Sequence, residues 1–71
     1  MDEIMKTNYY KLEARFIGET STQTHIFKGY NSLEECVNIL ENNSMFVRDM
    51  HVISEKQFNK ASVYATIWII Q

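Results

Sequence analysis

Seventy-one residues with seven Lys/Arg, nine Asp/Glu, one cysteine and no proline make one small domain of net charge −2. A lone thiol excludes an intrachain disulfide, and the slightly acidic balance lacks the basic stripe that phosphate neutralisation needs. A chain this short buries only about 60% of the surface its unfolded form exposes, and its core yields roughly 3–5 kcal/mol, so a metal or a partner subunit is the usual supplement.

Residues 1–8 read as a flexible polar lead-in, acidic at its start and without the long apolar stretch of a secretory signal, leaving 9–71 as the single domain. From Tyr9 to Ile17 the chain alternates. Tyr10, Leu12, Ala14 and Phe16 share one face; Tyr9, Lys11, Glu13, Arg15 and Ile17 share the other, wet face. Gly18 to Thr22 is a turn, and Gln23 to Lys28 returns as the second strand of a hairpin. With only Ile26 and Phe27 strongly apolar, this strand is expected at a sheet edge.

After the break at Gly29-Tyr30-Asn31, Ser32-Leu33-Glu34-Glu35 matches a capping box. Leu33, Cys36, Val37 and Leu40 then recur at helical spacing, with Glu34, Glu35, Asn38 and Glu41 outside. Asn42-Asn43 is the expected stop, because Asn tolerates the left-handed cap conformation. Met45-Phe46-Val47 re-enters the core, and Arg48 to Ser54 reads as a third strand of unclear parity. Glu55 to Ala61 reads as a polar connector with room for one helical turn. The last run, Ser62 to Ile70, has no charge, Gly or Pro and reads as a fourth strand with two apolar faces. It is far too short to span a bilayer as a helix, so no membrane association is expected.

The fold class that follows is α+β: a four-stranded antiparallel sheet in the order β-β-α-β-β, with one helix packed on one face. Two arrangements keep every neighbouring pair antiparallel: first-second-fourth-third, and second-first-third-fourth. The latter places the polar second strand at an edge and is favoured. The helix is expected to cover Leu12, Ala14, Phe16, Val63, Ala65, Ile67 and Ile69. That leaves Tyr64, Thr66, Trp68 and Ile70 outward as a homodimer or partner interface.

Other candidates carry less. Tyr9 and Phe27 could join Tyr64, Trp68 and Ile70 in an aromatic platform for unpaired bases, though no Lys or Arg supports it. Cys36 sits on the helix's apolar stripe and reads as a small buried hydrophobe. His25 and His51 lie on different strands and could act as an acid/base or metal pair only if those strands bring them together; with Cys36 they make no recognisable metal signature. Glu34, Glu35 and Glu41 form an acid-only helix face that could meet a basic partner.

The layout Ile26-Phe27-Lys28-Gly29-Tyr30-Asn31-Ser32-Leu33, after a hairpin and before a helix, resembles small phage-encoded uracil-DNA glycosylase inhibitors over about residues 10 to 40. The resemblance implies an acidic, dimeric protein that imitates DNA. In that family, aromatics on the helix fill a hydrophobic pocket of the target. Here Cys36 and Leu40 stand at the roughly equivalent places, so the resemblance serves as an analogy for an inhibitor role and not as membership.

The functional expectation is a small acidic cytoplasmic protein-binding module, not an enzyme and without a cofactor. It acts as a homodimer with an unidentified protein partner, in the manner of a phage or mobile-element inhibitor or accessory protein. The alternative is a nucleic-acid-binding protein using aromatics on the outer sheet face.

Overall fold

A computed structural model describes residues 6–70. The expected lead-in over residues 1–8 lies largely outside the described residues, and Asn8 already opens the first strand. Strands β1 (Asn8–Phe16) and β2 (Gln23–Gly29) form the hairpin. Helix α1 (Leu33–Asn42) leads to β3 (Met45–Val52), and helix α2 (Glu55–Ala61) leads to β4 (Thr66–Ile70). No helix among the described residues is long and apolar enough to cross a membrane.

The class is α+β, but among the described residues the sheet is mixed and two helices are present. Its strand order is β3-β1-β2-β4; β1 is antiparallel to β2 and β3, whereas β4 is parallel to β2. The expected pairing of first and third strands and the edge place of the fourth are both present. The expected edge place of the second strand and the wholly antiparallel sheet are not. Both corrections have one cause. The segment read as a polar connector is a two-turn helix, so β4 leaves it running in the direction of β3 instead of folding back as a hairpin. The chain then pairs on the free side of β2, which puts β2 inside the sheet.

Both helices begin with the same device. Ser32 Oγ accepts from the Glu35 N–H while Glu35 Oε1 accepts from the Ser32 N–H at 2.6 Å. Ser54 and Gln57 repeat this at 3.1 and 2.9 Å. At the end of α1 the left-handed residue is Ser44, at φ 63°, and not Asn43, which caps at φ −100°.

The helices cover opposite faces. Cys36 and Leu40 of α1 pack with Tyr10, Leu12, Ala14, Phe27 and Met45. Phe58 and Ala61 of α2 pack on Ile26, flanked by Tyr9, Ile53 and Ala65, with the Tyr9 and Phe58 rings 5.3 Å apart. The face of β1 expected to be wet is therefore half covered. Burying one such aromatic is worth about 1.5–3 kcal/mol, a large share of the stability of so small a domain. The parity of β3 also resolves. A bulge opposite Glu13/Ala14 leaves Arg48 as the extra residue, so Met45 and Val47 before it and Met50 and Val52 after it all sit on the α1 side.

Candidate functional site

The site is built where β4 docks on β2. Thr66 pairs with His25, Ile67 with Ile26, Trp68 with Phe27, Ile69 with Lys28 and Ile70 with Gly29. Paired residues share a face, so Thr66, Trp68 and Ile70 lie on the α1 side and Ile67 and Ile69 on the α2 side. Trp68 stacks on Phe27, ring centroids 5.5 Å apart and planes 10° apart. Its indole N–H donates to Nδ1 of His25 at 3.1 Å. With Nδ1 accepting, the neutral imidazole carries its proton on Nε2, which is buried and has no partner among the described residues. Burial lowers the His25 pKa, and Glu13 opposes this in part. Gly29 completes the seam: a Cβ there would meet the Ile70 carbonyl oxygen and come within 2.8 Å of the Ile70 Cβ.

The residues expected to form an outward interface do not share one surface. Trp68 and Ile70 pack against the α1-side core, Thr66 is exposed on that same side, and Tyr64 lies in the turn after α2. Ile67 and Ile69, expected beneath a helix, are instead 46% and 56% exposed. Val63 is exposed in the turn, and Ala65 packs on the α2-side cluster. The error is one of parity: both sets are apolar, so alternation alone could not choose the inward one. The aromatic platform is divided likewise, Phe27 and Trp68 on the α1 side and Tyr9 on the α2 side.

The two sheet edges differ. β3 exposes Phe46, Met50 and Val52 but intersperses them with Arg48, Asp49 and His51, and its bulge breaks the ladder. Arg15 also stands over the Phe46 ring, 5.2 Å from its centroid. Charges and bulges of this kind discourage pairing with another chain. The β4 edge has neither; Thr66 to Ile70 is uncharged and regular.

Glu34, Glu35 and Glu41 are exposed on α1 as expected, with Glu35 engaged in the capping box. His25 and His51 do not meet, since β1 lies between their strands and they occupy opposite faces. His51 is exposed, with Nε2 3.7 Å from Asp49. Cys36 is fully buried, accepts from the Asn31 amide at 2.9 Å, and has its thiol pushed up to about 11 by burial. No group of three or more His, Cys, Asp or Glu converges among the described residues.

Between α2 and the sheet lies an open cavity of about 400 Å³ lined by Lys11, Ile53, Gln57, Lys60, Ala61 and Tyr64. The signal for it was Ser54-Glu55-Lys56-Gln57, a second capping-box pattern that announces the helix forming one wall. No family model, no curated protein and no solved structure matches the chain.

Proposed function

We propose that the chain is a small protein-binding module that self-associates along β4, two copies joining their Thr66–Ile70 strands antiparallel about a twofold axis. The observation carrying this reading is the contrast between a guarded β3 edge and an open, uncharged β4 edge beside the half-exposed Ile67 and Ile69. One face of β4 is already satisfied inside the chain through Trp68 and Ile70, so the edge and the isoleucine face supply the rest. A five-residue strand offers less than the roughly 800 Å² per partner of a stable interface. The expected association is therefore concentration dependent, with Kd roughly micromolar or weaker. The acidic outer side of α1, a helix that packs mainly on β3 and β1 and not on β4, stays open to an unlike protein in the manner of an inhibitor or accessory factor.

Sedimentation velocity across roughly 10 µM to 1 mM tests the pairing. The native chain should shift from monomer to dimer, and Ile67→Lys, a change at an exposed position, should stay monomeric with an unchanged far-ultraviolet spectrum. A native chain that is monomeric throughout, or an Ile67→Lys variant that dimerises equally well, overturns it. A pull-down comparing the native chain with a Glu34→Lys/Glu41→Lys variant tests the acidic face separately.

A further inference from the structure

We propose that the cavity between α2 and the sheet binds a small organic carboxylate with an apolar body, held by Lys11 and Lys60 above a floor of Ile53 and Ala61. The lining is one-sided in its chemistry. Among the described residues, no carboxylate lines the cavity. Neither lysine makes an ion pair among the described residues. The Gln57 carbonyl oxygen is committed to the Ser54 N–H at 2.9 Å, which leaves its amide N–H groups as donors. The Tyr64 hydroxyl adds a fourth group able to donate, and Tyr64, a residue 69% exposed, brings its ring as an aromatic wall. A site of donors and apolar surface selects a ligand with acceptors at one end and carbon at the other. A volume of about 400 Å³ is near the lower end for small-molecule sites and suits one ring and a short chain. Charge without a body would leave Ile53 and Ala61 wet; a body without charge would leave both ammonium groups unpaired.

The test is a titration of isotopically labelled full chain, followed by amide shifts, with three probes: 3-phenylpropionate, 3-phenylpropanol and acetate. Saturable shifts confined to the cavity residues are expected with 3-phenylpropionate, and binding about tenfold weaker with each of the other two. Lys11→Gln/Lys60→Gln should weaken 3-phenylpropionate about tenfold while its spectrum stays dispersed. Tyr64→Ala, at an exposed turn position, gives a second variant with the same expected direction. The proposal is overturned by unsaturable or scattered shifts, by acetate binding as tightly as 3-phenylpropionate, or by affinities unchanged in both variants.

Discussion

The indole N–H of Trp68 donates to Nδ1 of His25 at 3.1 Å, tying β4 to β2 across 43 positions of sequence. Nδ1 can accept only while the imidazole is neutral. Protonation would replace the acceptor with a donor and place a charge where His25 is 2% exposed. Burial holds the folded pKa below the ordinary 6.5, against a smaller upward pull from Glu13. The unfolded chain therefore binds this proton more readily than the folded one. The associated stability is fully present above pH 6.5 and is lost as pH falls from there to the lowered folded value. Thermal melts between about pH 8 and pH 5 should show a steeper acid-side drop in Tm for the native chain than for His25→Gln, which keeps an acceptor without titrating. Parallel curves for the two proteins would remove this account.

At Gly29 the backbone of β4 comes so close that a methyl group has no room. Gly29→Ala should cost about 1–3 kcal/mol, the usual range for an overpacked site. Hydrogen exchange locates the damage. Protection should fall in Thr66–Ile70 first and persist in β1, which pairs on both sides. A variant as stable as the native chain would show that the strand relaxes freely.

Substitutions on the two faces of β4 should separate folding from association. Trp68→Ala removes a stacked, hydrogen-bonded ring and should cost about 3 kcal/mol. That approaches the whole roughly 3–5 kcal/mol expected of so small a core, so its melt should be broad and early. Ile67→Lys, on the exposed face, should change stability by no more than about 0.5 kcal/mol. Calorimetry of both variants checks this, and equal melting temperatures would contradict the assignment of faces.

The Cys36 thiol, moved from 9.0 to about 11, has about a hundredfold less thiolate at neutral pH than an ordinary cysteine. It is also fully buried. A thiol-reactive chromophore at pH 7.5 should therefore label the native chain only at the rate of its opening, and label the urea-unfolded chain at once. Rapid labelling of the folded protein would mean that α1 does not seal Cys36.

Much of this architecture was legible residue by residue. The alternation around Leu12 and Ala14, the hairpin, and the Ser32 capping box all appear where the pattern puts them, because each depends on neighbours in sequence. The place of β2 was not legible. Its polarity suggested an edge, yet His25 is buried because Trp68, far along the chain, supplies a donor to it. The direction of β4 turned on a helix of seven residues, whose only marker was Ser54 with Gln57. The cavity depends on that same short helix, since Lys11 and Lys60 come from a strand and a helix that the sequence does not visibly join.

Trp68 is the chain's single tryptophan. Nature has thus placed the one strong fluorophore at the joint where the sheet is closed, ring against Phe27 and nitrogen on His25. Its emission colour becomes an unlabelled optical readout of that joint: blue-shifted while the strand is seated, drifting red as water enters.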